Sequence, residues 1–228
     1  MTLRAEVEKR LTVQVSEFTV CAEFRALESG RIPREDCDRF IANVVRAHLM
    51  ATQLVAFLYA LAPPVSAESR LRNLLEELSH PGLLRQFAAG AGLADLLPVL
   101  EVQAAADIRQ VVGDPLLYGT LKEVGLAVLG EVVAFEYMLS RVSGRVATAL
   151  ARHRGLPRAA LRWWTEHSEV DVQHAEEGLA DLDAYVAYYD LPEEDARAIV
   201  ETALRENVFI KRYFGELPLA RATGMIEA

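Results

Sequence analysis

The sequence predicts an all-α fold, a helical bundle of about seven or eight helices. Residues that favour helices, namely Ala, Leu, Glu and Arg, dominate the whole chain. The alternation of apolar and polar residues that indicates strands is scarce. No repeat, low-complexity stretch or long linker divides the 228 residues. We therefore expect one helical domain over residues 1–228.

Signals in the N-terminal half predict where its helices begin and end. Ser29-Gly30 is a C-cap signal, and Pro33 is suited to open the next helix. Pro63-Pro64 would end that second helix, Ser66 could cap a third, and Pro81 lies just beyond its end. These signals predict helices over about residues 3–28, 33–60, 66–79 and 83–91.

The C-terminal half is interpreted in the same way. Pro98 fits the first turn of a helix, and Asp114-Pro115 would begin a long one. Gly155-Leu156-Pro157 breaks that helix, and Pro192 would open the last one. These signals predict helices over about residues 95–112, 116–153, 158–189 and 192–213, with a tail from Gly215 onward.

Composition restricts the classes of function. The net charge of −9 and the pI of about 5.1 argue against nucleic acid, because phosphate binding needs a basic face. Two cysteines, Cys21 and Cys37, do not make a disulfide scaffold. The N-terminus lacks the apolar segment of a signal peptide, and the longest apolar run, residues 54–62, is too short to span a bilayer. We expect a soluble cytoplasmic protein that binds neither nucleic acid nor membrane.

The most informative motif is His167-x3-Asp171-x2-His174. Its offsets of 0, 4 and 7 lie within about 40° of one line along an α-helix. Two imidazoles and a carboxylate on one helical face form a partial metal site that suits iron, manganese or zinc. The alternative is a solvated helix face, because the neighbouring Glu166 and Glu169 are also charged.

Further candidate ligands lie upstream. Glu77 and His80 are three residues apart and Glu76 and His80 are four apart, so either pair can share a helical face. Glu131 lies inside an apolar stretch, where a carboxylate is costly unless it is paired or bound to metal. Glu136 is the competitor, but it lies about 140° around the helix from Glu131.

The preferred set contains three carboxylates and three imidazoles: Glu77, His80, Glu131, His167, Asp171 and His174. Six such ligands suit two divalent ions. Oxygen and nitrogen donors without thiolate fit iron that activates O₂ better than structural zinc. The alternatives for single positions are Glu76 for Glu77 and Glu136 for Glu131. Each candidate can also be an ordinary surface or ion-paired residue.

These motifs resemble the haem-oxygenase-like diiron oxidases, and the resemblance covers most of the chain. Residues 24–33, followed by Phe40, resemble the first helix, turn and second helix of that family. Residues 73–87 resemble the segment that supplies the first Glu and His ligands, and Glu131 falls where the family has its mid-chain ligand. The motif from His167 to His174 matches the motif of the final helix without a gap.

The resemblance implies a haem-oxygenase-like bundle that holds two Fe(II) ions and uses O₂ as co-substrate. We assign Glu77, His80 and His174 mainly to one iron, and Glu131, His167 and Asp171 mainly to the other iron or to bridging. The short Glu77-x2-His80 spacing is similar to that of medium-chain fatty-acid decarboxylases that form terminal alkenes. An external electron donor and a homodimer are compatible with this interpretation.

The expected substrate is a small or medium carboxylate derived from a fatty acid or an amino acid. The reaction would be oxidative decarboxylation, C–C cleavage or N-oxygenation. Arg46, His48, Lys211 and Arg212 are candidates to meet the carboxylate, although each can be a packing or surface residue. Two alternatives remain open. One is a cofactorless or non-redox enzyme that uses the Glu/His cluster for acid–base chemistry, and the other is a helical binding protein.

Overall fold

The computed structural model describes residues 2–113 and 119–215, and over these residues it is helical without strands. The prediction of an all-α fold is therefore confirmed. A short 3₁₀ helix, Ala94–Leu96, precedes α7. The α-helices in the part of the chain described are α1 (Leu3–Val20), α2 (Ala22–Ser29), α3 (Arg34–His48), α4 (Ala51–Ala60), α5 (Ala67–Glu77), α6 (His80–Gly90), α7 (Leu97–Gly113), α8 (Leu121–Arg154), α9 (Arg162–Tyr188), α10 (Glu193–Ala203) and α11 (Val208–Tyr213).

Three of the predicted helices are each divided in two. The first breaks at Cys21, which has an extended backbone and whose Sγ accepts a hydrogen bond from the Phe24 amide at 3.4 Å. The second breaks at residues 49–50, between α3 and α4. The last breaks before Asn207, whose side chain caps α11 through the amide of Ile210 at 3.1 Å. None of these breaks involves proline or glycine, so the usual signals of helix ends do not indicate them.

The long helix α8 lies at the centre of the bundle. It packs against α9 along much of their lengths, and it also contacts α1, α2, α4 and α10. Gly155 ends α8 in the left-handed conformation, with φ of 65°, as the predicted break required. The short connection to α9 makes the two helices an antiparallel pair. Their shared interface is where most of the candidate ligands lie.

Buried apolar side chains form one cluster that extends from Leu3 to Phe214. The segment Arg34–Ala60 is apolar and long enough to cross a membrane by composition alone. In the structure it is two helices, and Phe40, Ile41 and Val44 are fully buried within the bundle. The composition of this segment is therefore weak support for a membrane span, because core helices pass the same test.

Candidate metal centre

Five of the predicted ligands meet inside the bundle. Glu77 is the last residue of α5 and His80 the first residue of α6, whereas His167, Asp171 and His174 lie on α9. Each of the five is at most 5 % exposed. The face of α9 that carries the motif is therefore buried, and the alternative of a solvated face does not apply.

Glu77, His80 and His167 form the first group. One ligand atom from each residue lies within 4.8 Å of the others, a spacing that a single ion can bridge. Oε2 of Glu77 lies 2.8 Å from Nδ1 of His80, but both atoms lack a hydrogen-bond partner of acceptable geometry. The rings of His80 and His167 are 4.4 Å apart. These lone pairs converge without satisfying one another, which is the arrangement that a cation requires.

Asp171, His174 and Glu136 form the second group. Oδ1 of Asp171 lies 3.5 Å from Nδ1 of His174, and neither atom has a hydrogen-bond partner. Glu136 lies 6 % exposed on the facing side of α8, and its Oε1 accepts a 2.8 Å hydrogen bond from Nδ2 of Asn73. Its other oxygen is buried and unpartnered. Carboxylate and imidazole atoms are thus again left available on a buried face.

Glu131 takes a different position from the one expected. Its carboxylate faces Nη2 of Arg212 at 3.4 and 3.5 Å, and the charges that act on it come from that arginine. The charges that act on Glu136 include His174 and Glu77. The structure therefore brings Glu136, not the preferred Glu131, to the other five residues. Both residues are flanked by apolar side chains, and only the rotation of α8 distinguishes them.

The grouping within the cluster also differs from the expected one. His167, rather than His174, accompanies Glu77 and His80. The physical reason is the path of α9, since His167 and His174 are seven residues, or about 10 Å, apart along its axis. His167 therefore lies beside Glu77 and His80, whereas His174 contacts Glu76 and Asp171.

Glu76 and Glu77 have separate positions. Glu77 is buried among the candidate ligands, whereas Oε2 of the half-exposed Glu76 lies 2.6 Å from Nε2 of His174. This contact leaves Nδ1 of His174 directed to the cluster. His167 is held in a similar way, because its Nδ1 lies 2.7 Å from the carbonyl oxygen of Trp163 and its Nε2 remains for a ligand bond. Partners that orient imidazoles in this manner are typical of metal sites.

The electrostatics of the cluster favour a bound cation. Burial raises the pKa of Asp171, and the nearby Glu136 acts in the same direction. Burial also raises the pKa of Glu136, although Arg70 opposes the shift. Burial lowers the pKa of His167 well below its usual value and leaves the neutral imidazole that metal binding needs. Carboxylates that repel one another in a dry site are stabilised by a divalent ion between them.

The donor set fits iron. It contains carboxylate oxygens and imidazole nitrogens and no thiolate, which suits iron or manganese. The two cysteines belong to other parts of the bundle, and burial raises the pKa of Cys21 to about 11. The buried donor atoms without partners are those that a metal would satisfy.

A large pocket opens beside the cluster. It encloses about 940 Å³ of empty space, its open mouth included, and Glu77, Glu136, His167 and Asp171 form part of its wall. Most of the remaining wall is apolar, with side chains of α4 and α8 such as Leu54, Val55, Val128, Val132 and Leu139. Pockets with mostly apolar walls and a few polar groups are typical of small-molecule sites.

Two arginines line this pocket, and both are paired. Arg46 makes two 2.8 Å contacts with the carboxylate of Asp107, and Arg212 faces Glu131. His48 also lies in the wall. Lys211, by contrast, pairs with Glu206 at 2.6 Å and is half exposed. Arg46, His48 and Arg212 therefore remain candidates to meet a substrate, and Lys211 does not line the pocket.

Two residues support the cluster in ways that could not be predicted from the sequence. The carbonyl of Trp163 orients His167 from one helical turn away. The side-chain amide of Asn73 holds Glu136. The spacing of four between Trp163 and His167 was the one available signal.

Comparison with known proteins agrees with this chemistry. A family model described as an iron-containing redox enzyme matches residues 38–207, which include all of the candidate ligands. No curated protein matches the chain.

Proposed function

The chain belongs to a family of iron-containing redox enzymes with the haem-oxygenase-like fold, and from that premise we propose that it is a non-haem diiron oxidase or oxygenase that activates O₂. The observation that carries the proposal is the buried cluster of carboxylate and imidazole atoms without hydrogen-bond partners. Buried polar groups in native proteins are almost always satisfied, so a cluster of exceptions indicates a ligand.

Two ions would be held by six side chains. Glu77, His80 and His167 form one ion position, and this assignment rests on their mutual approach within 4.8 Å. Glu136, Asp171 and His174 form the second, with Glu136 in place of Glu131. Three carboxylates against two divalent ions leave one positive charge, which attracts an anionic substrate or reduced oxygen.

Iron supplies the one-electron and O₂ chemistry when it is bound. The protein residues hold and shield it. Trp163 and Glu76 keep the two imidazoles of α9 in fixed orientations, and Asn73 holds Glu136. The apolar walls of the pocket keep water from the reacting centre, which strengthens each charge inside it.

We propose a small or medium carboxylate substrate, derived from a fatty acid or an amino acid. Apolar walls suit its carbon chain, and Arg212 or Arg46 suits its carboxylate. The contacts between Arg212 and Glu131 are long, at 3.4 and 3.5 Å, and the guanidinium has further donors that can meet a substrate carboxylate. The reaction would be oxidative decarboxylation, C–C cleavage or N-oxygenation.

Iron stoichiometry is the direct test. We would titrate the protein with ferrous iron without oxygen, then mix it with O₂ and follow absorbance by stopped flow. Wild type should bind two irons per chain and develop a transient visible absorption. His174→Ala and Glu136→Gln should lose one iron and the transient, because each removes a ligand of the second position.

Glu131→Gln is the matched control for Glu136→Gln. It removes the same charge from the same helix, and it should still bind two irons. If Glu131→Gln lost an iron and Glu136→Gln did not, the assignment in the second position would be wrong. If wild type bound no iron specifically, the proposal would fail and acid–base chemistry by the same cluster would become the better explanation.

The substrate has a separate test. Fatty acids, amino acids and amines would be added to the iron-loaded protein, and the decay of the transient absorption would be measured. Arg212→Gln should weaken the effect of carboxylates, whereas Lys211→Gln, which removes the neighbouring charge outside the pocket, should not. Equal effects of the two substitutions would exclude Arg212 as the carboxylate partner.

A further inference from the structure

A buried tyrosine and a buried histidine form a pair beside the metal centre. The hydroxyl of Tyr213 on α11 lies 2.7 Å from Nε2 of His48 on α3. Tyr213 is completely buried and His48 is 6 % exposed. The ligand assignment does not use this contact, although it places a proton donor and a proton acceptor together in a dry environment.

The pair is connected to the cluster by aromatic rings. The ring of His48 lies 4.9 Å from that of Trp163, which in turn lies 4.2 Å from the ring of His167. The charge of Asp171 also acts on Tyr213, which places the phenol near the second ion position. Electron transfer falls steeply with distance, so the closely packed indole of Trp163 between His48 and His167 provides a short path.

We propose that Tyr213 and His48 form a redox-active pair, in which Tyr213 gives one electron to the oxidised metal centre and passes its phenolic proton to His48. Tyr213 becomes a neutral tyrosyl radical, His48 becomes an imidazolium ion, and the centre is reduced by one electron. A one-electron donor in solution restores the phenol, and the proton then returns from His48. The inference rests on the proposed function only for the identity of the oxidant.

The surroundings suit a coupled transfer. Burial raises the pKa of Tyr213 well above its usual value, so the phenol does not ionise before it is oxidised. Burial lowers the pKa of His48 to about 3, so its ring is neutral and free to accept a proton. An oxidised phenol is a very strong acid, and it therefore transfers its proton even to a weakened base.

Other buried tyrosines among the residues described lack such a partner. The hydroxyl of Tyr185 donates to the carbonyl oxygen of Lys122 at 2.9 Å, and that of Tyr137 meets the hydroxyl of Thr12 at 2.8 Å. Neither a carbonyl nor an alcohol is a base at neutral pH. Tyr185 is therefore a matched control, because it is 2 % exposed and has a hydrogen bond of similar length.

The first experiment uses light instead of iron. Metal-free protein would be oxidised by a photo-oxidised ruthenium polypyridyl complex and frozen, and tyrosyl radicals would be measured by EPR. Ring-deuterated tyrosine would separate them from tryptophan radicals. The expected result is a long-lived tyrosyl signal that Tyr213→Phe removes and Tyr185→Phe leaves unchanged. Survival of that signal in Tyr213→Phe would overturn the proposal.

His48→Gln tests the proton acceptor. Glutamine keeps a hydrogen-bond acceptor but takes no proton, so the long-lived signal should be lost. An unchanged signal would refute the pairing. Should this variant fail to fold, wild type in D₂O supplies the same information: the radical should decay more slowly there than in H₂O, and equal decay would contradict coupled proton transfer.

The second experiment separates the pair from the metal. Protein loaded with ferrous iron would be mixed with O₂ and freeze-quenched, and the same EPR signal should appear. A tyrosyl signal with light, but none with iron and O₂, would support the redox-active pair and contradict the proposed diiron oxidant. If no tyrosyl signal appeared either with light or with iron and O₂, the proposed pair would be refuted. The proposed diiron centre would not be affected, provided that iron still binds.

Discussion

At the scale of single residues, the two imidazoles of α9 are oriented by opposite nitrogens. His167 uses Nδ1 for the carbonyl of Trp163, whereas His174 uses Nε2 for Glu76. The remaining nitrogens thus face different ion positions although the two residues share one side of the helix. Glu76 therefore acts on the second position through His174, without being a ligand itself.

Replacing Glu76 should weaken iron binding at the second of the two proposed positions. Glu76→Gln removes the carboxylate that orients His174, and loss of such partners typically lowers metal affinity by about 10–100-fold. The anaerobic iron titration should then show one tight and one weakened binding step. Glu169→Gln changes an exposed residue on α9, the helix that carries His174, and as the control it should leave both steps unchanged. Two unchanged steps in Glu76→Gln would contradict this role.

The ligands that could be predicted from the sequence are those whose spacing matches the helical period. Spacing was sufficient for His167, Asp171 and His174, because offsets of 0, 4 and 7 define one helical face. It could not decide between Glu131 and Glu136, since both have apolar neighbours and the rotation of α8 is set by tertiary packing. The roles of Asn73 and Trp163 depend on contacts between side chain and backbone that spacing does not specify.

At the scale of helices, the site depends on how closely α8 and α9 approach. A Cβ atom at Gly178 on α9 would lie 2.5 Å from Cγ2 of Val133 and 3.5 Å from Oε2 of Glu136. A glycine is therefore needed at this crossing, because any side chain would push α9 away from α8. The second ion position lies across the same interface.

Gly178→Ala should lower the free energy of unfolding by about 1–3 kcal/mol, as overpacking of a core does. Denaturant unfolding would measure the change, and iron titration would report displacement of Glu136. Gly144→Ala on α8 is the control, because nothing lies within 4 Å of its Cβ position. That substitution should stabilise the protein by about 0.5–1 kcal/mol. If both substitutions stabilised the protein, the helices α8 and α9 would not be in close contact at Gly178.

The sequence predicts where helices occur better than it predicts where they are interrupted. Proline and glycine signals predicted the C-terminal end of α8 and the beginnings of α3 and α10. The predicted beginning of α8 at about residue 116 was wrong: Asp114-Pro115 lies outside the described residues, and α8 begins at Leu121 behind a cap at Thr120. They did not predict the break at Cys21, where a thiol acts as the cap, or the break before Asn207. These breaks arise where a helix must change direction to keep its apolar face on the bundle, and local sequence carries little of that information.

At the scale of the whole molecule, the candidate ligands connect distant parts of the chain. Residues from α5, α6, α8 and α9 meet at one centre. Without a cation, the centre concentrates buried carboxylates that repel one another and imidazoles without partners. Metal binding should therefore contribute directly to the stability of the bundle.

Removal of the metal should lower the melting temperature. A metal at 100 times its dissociation constant stabilises a protein by about 2.7 kcal/mol, which corresponds to roughly 5–11 °C for a domain of this size. Calorimetry would compare chelated protein with protein reloaded with ferrous iron under anaerobic conditions. His167→Ala should show a smaller shift on reloading, because only the second position keeps all of its ligands. A shift of equal size in that variant would place the stabilising metal elsewhere.

The turn between Glu77 and His80 has a consequence for how iron is exchanged. Leu78 and Ser79 keep right-handed helical dihedral angles, yet α5 ends before them and α6 begins after them. His167, Asp171 and His174, by contrast, lie on one uninterrupted helix. Local opening needs less free energy at a helix end than within a long helix. The proposed centre should therefore exchange iron more readily on the side of Glu77 and His80, while the bundle stays folded.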